Sequence, residues 1–434
     1  MQKSTLKSFN FSNKIKVNFD GGELSSDTGL LLIHEFCEQF GVKELLKQYL
    51  PENRDGDFIH DKPEIIYEEI IRIIAGYPTN NAVKFLKEDP VYQKIHDNKI
   101  ASSPTCCRLE KDFSFEDVKQ LQRIQEALID QTYEIEKPEE VWLDLDTTYD
   151  PASPKLYGAK FNTHYQQVGF APLVCFDGKT KDFIKGYLRP GNMYCSKKAS
   201  HFLEPILQKY KKLGIKIKVR NDSGFACPKL YRICEKYNAT YYTKLKMNAV
   251  IKRHFEEVIL TDEVMKNREE VFAEFRYQAG SWKKERRVLC RVQWNQDQLF
   301  PVCSAIVTND EKCTSEDGFD FYNGRAGIEN NIEEGKNGFS WDHLSHKSFE
   351  SNAVRFQIFL TAYLITQLFR RLCMTKETRI FTINTIRIML LKVASKIVKN
   401  SRSFIFKCAS GFPFQKLFQT VLENIQNLPS FAPG

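Results

Sequence analysis

The segment 322-YNGRAGIENNIEEGK-336 sets a tyrosine, an arginine, a glutamate and a lysine at positions 322, 325, 329 and 336. At about 100° per residue, a helix projects these four side chains within an arc of roughly 60°. Tyr322, Arg325, Glu329 and Lys336 then share one stripe. A stripe with one carboxylate, two cations and a phenol is poor core material, because an unpaired buried charge costs several kcal/mol. It reads as a ligand face. The competing reading is a solvated helix in which Arg325 and Glu329 pair across one turn. Gly324, Gly327 and Gly335 weaken the helix, each by up to about 1 kcal/mol relative to alanine. The stripe therefore needs partners elsewhere in the chain.

Two aspartates upstream meet that need, because each stands where an apolar run ends: Asp146 in 141-VWLDLDTT-148 and Asp222 in 217-IKVRNDSGF-225. In open α/β sheets, ligands collect outside the carboxyl ends of strands, so two such aspartates face one cleft. Asp144 and Asp146 lie on the same face of their strand, and periodicity alone does not separate them. Asp146 is nearer the strand end and is preferred. The bland alternatives are a strand-to-loop cap for Asp146 and a turn residue for Asp222. If Glu329 packs beside the two aspartates, three carboxylates converge with Arg325 and Lys336 nearby. That set suits Mg²⁺, which takes carboxylate oxygens and completes its octahedron with water and phosphate oxygens. Two ions about 4 Å apart activate a nucleophile and stabilise the leaving 3′ oxygen of an in-line phosphoryl transfer. Tyr322, Arg325 and Lys336 are then expected to grip flanking DNA phosphates.

The rest of the chain fits a nucleic-acid partner. Its net charge is +8 over 434 residues. Residues 179–220 hold twelve Lys or Arg against Asp182 and Glu204, and 370–407 hold ten against Glu377, whereas 126–150 hold nine acids and one lysine. Basic runs interleaved with Phe183, Tyr187, Tyr194, Phe202 and Tyr210 suit a phosphate backbone; the alternative is a solvated amphipathic face. The hydrophobic share, 42%, is ordinary for a folded chain with two to four structural units. No run approaches eighteen consecutive apolar residues and the N-terminus lacks an apolar signal core, so a cytoplasmic, membrane-free protein is expected. The twelve cysteines form no CxxC pair and read as reduced thiols; His343 and His346 are only a weak zinc pattern.

Helical spacing in 28–40, 64–77 and 115–136 makes residues 1–140 mostly helical. Strand patterns then occupy 141–150, 168–177, 182–189, 215–225 and 239–246, with helices at 197–214 and 226–238. That order predicts a mixed α/β sheet covered by helices. Strands at 270–280, 287–295 and 299–310 read as an inserted β unit. Helix resumes after 322, with a strong apolar face in 350–373, and the ending LPSFAPG reads as frayed.

The motifs together resemble the DDE transposases of bacterial insertion sequences, in the branch marked by a Tyr-x2-Arg-x3-Glu-x6-Lys signature. Tyr322, Arg325, Glu329 and Lys336 match it without a gap, and the match extends through DLDTTYDP, 168-VGFAPLVCFDG-178, 188-LRPGN-192, 219-VRNDSGFACPKL-230, the Asn352/Arg355 helix and the N-terminal SSDTGLLL. The loop 155-KLYGAK-160 departs from the family's polar pair. The resemblance implies a ribonuclease H-like core with catalytic, metal-binding carboxylates at Asp146, Asp222 and Glu329. It implies these divisions: a helical DNA-binding region at 1–140, core at 141–246, a β-rich insertion at 247–320, the glutamate helix at 321–345 and a basic helical region at 346–434. It further implies cut-and-paste movement of an insertion sequence in a bacterial cell. The expected partners are double-stranded DNA, terminal inverted repeats, target DNA and a second copy of the chain; the cofactor is Mg²⁺, with Mn²⁺ as substitute. A tryptophan of the insertion, Trp282 or Trp294, is a candidate for stacking on a displaced base, the alternative being a buried strand residue. The rival functions are a nuclease of the same fold and a catalytically silent DNA-binding descendant.

Overall fold

The computed structural model describes residues 6–52, 59–268, 270–294, 300–400 and 402–432. Asn295 and Leu299, expected at strand ends, and the last two residues of the frayed ending lie outside them. The chain forms two compact units, one of residues 1–131, 337–340 and 361–434, the other of residues 132–336 and 341–360.

The second unit is built on an eight-stranded sheet. Its strands are β1 (Glu140–Thr147), β2 (Leu173–Asp177), β3 (Phe183–Tyr187), β4 (Lys216–Asn221), β5 (Thr240–Lys244), β6 (Val271–Tyr277), β7 (Arg286–Gln293) and β8 (Val302–Thr308), in the spatial order β6-β7-β8-β5-β4-β1-β2-β3. β4 runs parallel to both β1 and β5, and every other neighbouring pair is antiparallel. Val141, Leu143 and Leu145 are fully buried on one side of β1. Helix α1 (Ala199–Lys212) leads into β4 and α2 (Pro228–Lys236) joins β4 to β5, as a parallel pair requires a crossover. The expected mixed sheet flanked by helices is present.

One strand expectation needs correction. The run 168–177 is not one strand: Gln167–Phe170 joins a small sheet with Asp150–Pro151 and Lys160–Asn162, and β2 starts anew at Leu173. Pro172, which has no N–H for a ladder, stands at the break. The strands expected at 270–280, 287–295 and 299–310 are present as β6–β8, and since β8 pairs with β5 they prolong the main sheet.

The predicted stripe is also split. Tyr322 lies in the last turn of α3 (Ser315–Asn323), Arg325 sits in a tight 3₁₀ turn, and Glu329 and Lys336 lie on α4 (Gly327–Phe339). The two glycines flanking Arg325 and Ala326 account for the tightened turn. At Gly335 the missing side chain is required: a Cβ there would stand 2.3 Å from the fully buried Trp341 indole.

In the first unit, helices at Leu30–Gln39 and Lys62–Ile74 follow the expected spacing. Asp61 and Glu64 start the second with a capping box. Strands Lys7–Phe9, Ser12–Val17, Leu24–Ser25, Ser395–Lys399 and Phe404–Cys408 were not expected in the terminal regions. Their alternation spans too few residues to register as a strand pattern. The SSDTGLLL motif centres on buried Asp27, which accepts from Lys392 Nζ and from Tyr77 Oη at 3.2 Å. No helix among the described residues is long and apolar enough to cross a membrane.

Candidate active site

The register of β1 against β4 sorts the two aspartates that periodicity leaves together. Asp144 lies opposite Arg220, whose Nε and Nη2 reach Oδ1 and Oδ2 at 2.6 and 2.7 Å. Both side chains are almost wholly buried. Arg220 Nη1 also donates to the Phe321 carbonyl at 2.7 Å, which bolts α3 to the sheet. Asp144 is thus committed to an internal two-point ion pair.

Asp146 faces a different setting. Asn221 is opposite Leu145, so the parallel register continued by one residue sets Asp222 beside Asp146. Asp146 Oδ1 accepts from the Thr147 N–H at 2.8 Å, and Oδ2 lies 3.2 Å from Arg325 Nη2. Burial pushes its carboxyl up to about 6; Arg325 opposes the rise, and Asp222 and Glu329 add to it. Asp222 Oδ1 accepts from the Gly224 N–H at 2.8 Å and caps the turn Ser223–Phe225, so it is a turn residue as well as a neighbour of Asp146. Glu329 is largely exposed and pairs with Arg325 at 3.8 Å, the i,i+4 contact of the competing reading. One guanidinium therefore stands between Asp146 and Glu329.

The remaining stripe residues divide. Tyr322 packs on the cluster of Tyr242, Leu289, Ile306 and Phe319, and burial, ahead of Asp222 and Asp146, pushes its phenol up to about 12. Lys336 Nζ donates to the Tyr149 carbonyl at 2.6 Å and pairs at 3.1 Å with Asp150, which has no exposure at all. Its ammonium is held just past the carboxyl end of the strand that carries Asp146.

Arg189, within 188-LRPGN-192, was not singled out from the sequence by itself. It is fully buried; its Nε donates to Ala171 O, Nη1 to Cys195 O and Lys197 O, and Nη2 to Thr147 Oγ1 at 2.8 Å. The loop 190–198 is thereby tied to the residue after Asp146. A lone arginine before Pro-Gly carries no periodic signal, so only the fold shows this role. Of the two tryptophans, Trp282 is 7% exposed and packed by Tyr231, Tyr277 and Arg286, which matches the buried alternative. Trp294 is partly exposed beyond the end of β7.

Among the described residues, no group of three or more His, Cys, Asp or Glu side chains is drawn close enough to hold a metal ion, His343 and His346 included. The donor chemistry at Asp146, Asp222 and Glu329 nonetheless fits a hard cation: all three offer carboxylate oxygen, and burial raises the Asp146 carboxyl, with Asp222 and Glu329 adding to the rise.

A family model described as Transposase DDE domain group 1 matches residues 7–430. No curated protein matches the chain. Among solved structures, the cryo-EM structure of the piggyBac transposase synaptic complex with hairpin DNA is similar at 12% identity and a TM-score of 0.44, over 94% of this chain and 87% of that one. With that family model matched along nearly its whole length, the chain belongs to the DDE transposases.

Proposed function

We propose that the protein moves a bacterial insertion sequence by a cut-and-paste route, cleaving DNA at the element's ends and joining the freed 3′ hydroxyl to target DNA. The observation that carries this reading is the adjacency of Asp146 and Asp222 at the carboxyl ends of two parallel strands, with Glu329 linked to Asp146 through Arg325. Asp146, Asp222 and Glu329 are the residues that would hold Mg²⁺, or Mn²⁺ in its place. When bound, the metal activates the attacking oxygen and stabilises the leaving 3′ oxygen. The chain's own part is to hold two of these carboxylates at the carboxyl ends of adjacent interior strands and the third on α4. Lys336 pairs with Asp150 just past the strand end, and Arg189 fixes the loop beside Thr147. Arg325 supplies a cation that a DNA phosphate can engage alongside the carboxylates; Tyr322 flanks it. The regional divisions belong to the same reading: DNA binding by residues 1–140, a catalytic core at 141–246 and 321–345 with 247–320 inserted, and a basic region at 346–434. So do the terminal inverted repeats, a homodimer bridging two ends, and work in the bacterial cytoplasm at the nucleoid.

The test is cleavage of a labelled duplex bearing the inverted repeat that flanks the gene, with Mg²⁺, comparing wild type with Glu329→Gln. The expected result is cutting at the repeat boundary and joining of the 3′ end by wild type, with binding but no cutting by the variant. Cutting without joining would transfer the protein to the nucleases. Binding without cutting under any divalent metal would make it a silent DNA-binding descendant.

A further inference from the structure

We infer that Tyr165, backed by Tyr149, is a stacking platform for an unpaired nucleobase of DNA beside the carboxylate site. The inference rests on the proposed DNA-cleaving function and names a ligand contact within it. Tyr165 stands at the tip of the hairpin formed by Lys160–Asn162 and Gln167–Phe170. Its ring stacks on Tyr149 with centroids 4.7 Å apart and planes 15° from parallel. Tyr149 follows Asp146 by three residues, so the stack rises from the end of the strand that carries the first carboxylate.

The tip is held in place rather than loose. Asn162 Oδ1 accepts from the N–H groups of His164 and Tyr165 at 3.0 and 3.3 Å, and its Nδ2 donates to the Gly191 carbonyl at 2.7 Å. Gly191 belongs to the loop that Arg189 ties to Thr147. His164 meets the Tyr165 ring edge-on at 4.8 Å. Tyr149 is 6% exposed and Tyr165 44%. After burial, Asp146, Cys195 and Asp222 are what raise the Tyr165 phenol pKa, which sets this ring within the field of the candidate site.

Phe161 and Tyr194 are also largely exposed along these segments, and Lys246 Nζ lies 3.4 Å from the Tyr194 hydroxyl. Exposed rings with interspersed cations are what unpaired nucleic acid stacks on, whatever the base, because every base has a π-face. Of the two tryptophans weighed from the sequence, Trp282 is enclosed and Trp294 is partly exposed beyond β7, whereas Tyr165 is open and held by Asn162.

The experiment uses the full chain in EDTA, so that no cutting occurs, and a duplex oligonucleotide carrying one unpaired 2-aminopurine and a distant fluorescein. Fluorescein anisotropy reports duplex binding, and 2-aminopurine emission reports stacking. Wild type and Tyr165→Phe should quench the 2-aminopurine. Tyr165→Ala should bind the fully paired duplex like wild type, lose the quenching and bind the unpaired-base duplex about tenfold more weakly. Quenching by Tyr165→Ala equal to wild type, or duplex binding by wild type without quenching, overturns the platform alone. Failure of wild type to bind the duplex at all removes the DNA-cleaving reading and the platform with it.

Discussion

Arg220 and Asp144 meet by two hydrogen bonds with almost no access to water, so neither charge has an alternative partner in solvent. Removing one partner of a buried pair strands the other charge, at roughly 3–5 kcal/mol. Arg220→Leu is expected to lower unfolding free energy by that amount in denaturant titration; a change under about 1 kcal/mol would mean that water reaches Asp144. A second buried carboxylate answers to pH. Glu68 is 2% exposed, accepts from the Ala101 N–H at 2.9 Å, and is pushed by burial from 4.5 up to about 7. Because its folded pKa lies above its unfolded one, its contribution is complete below about pH 4.5 and is lost as pH rises through about 7. Stability should therefore fall between about pH 5 and 8. Glu68→Gln, which keeps an acceptor, should shrink that fall by on the order of 3 kcal/mol. His34 and His96, lowered by burial to about 4 and about 3, act with the opposite sign and withdraw stability as pH drops below about 6.5.

Among the elements, α4 depends on a residue that disfavours helices. Gly335→Ala gains up to about 1 kcal/mol of helix propensity, yet forces a methyl to within 2.3 Å of the enclosed Trp341 ring. Overpacking of that kind costs about 1–3 kcal/mol, so the substitution should destabilise, with a lower midpoint of thermal unfolding. An unchanged or raised midpoint would show that Trp341 can move aside. The elements also show what sequence patterns carry. Alternation and helical spacing locate β1, β3–β8 and the helices Leu30–Gln39, Lys62–Ile74, Phe115–Ile135, α1 and α2 to within a few residues. They miss helices such as Val42–Tyr49, Ala249–His254 and Asp262–Asn267, which are too short to repeat their period clearly. They do not separate Asp144 from Asp146, since the difference arises from Arg220 on a neighbouring strand. They join 168–177 across Pro172, and they extend one stripe through a turn that its glycines tighten. Arg189 is missed for the same reason as the Tyr149–Tyr165 stack: both are contacts between segments, and no local spacing encodes them.

Over the molecule, formal charge overstates what is free to meet DNA. Arg189 and Arg220 of the first basic segment are buried against protein groups, and Arg387 of the second donates to the carbonyls of Ile73 and Ile74. Exposed lysines remain at 179, 181, 197, 198, 211, 212 and 216. Log affinity for duplex DNA is expected to fall linearly with log salt. Lys197→Gln with Lys198→Gln should reduce that slope by about 1–2 if both meet phosphates. A slope equal to wild type would remove this loop from the interface.

The distance along the chain between the groups that meet at the candidate site has a further consequence. Arg325 and Asp146 touch across 179 residues of sequence, and the strands of 271–308 must be laid onto the sheet edge in between. At roughly 5–20 residues per second of synthesis, Arg325 is polymerised about 10–35 s after Asp146. From Asp222 onward, about 5–20 s of that interval, the nascent chain carries both aspartates but neither the arginine nor the glutamate. A ribosome-bound chain is thus chemically incomplete until its last quarter emerges, and no premature stop before Glu329 leaves the whole carboxylate set.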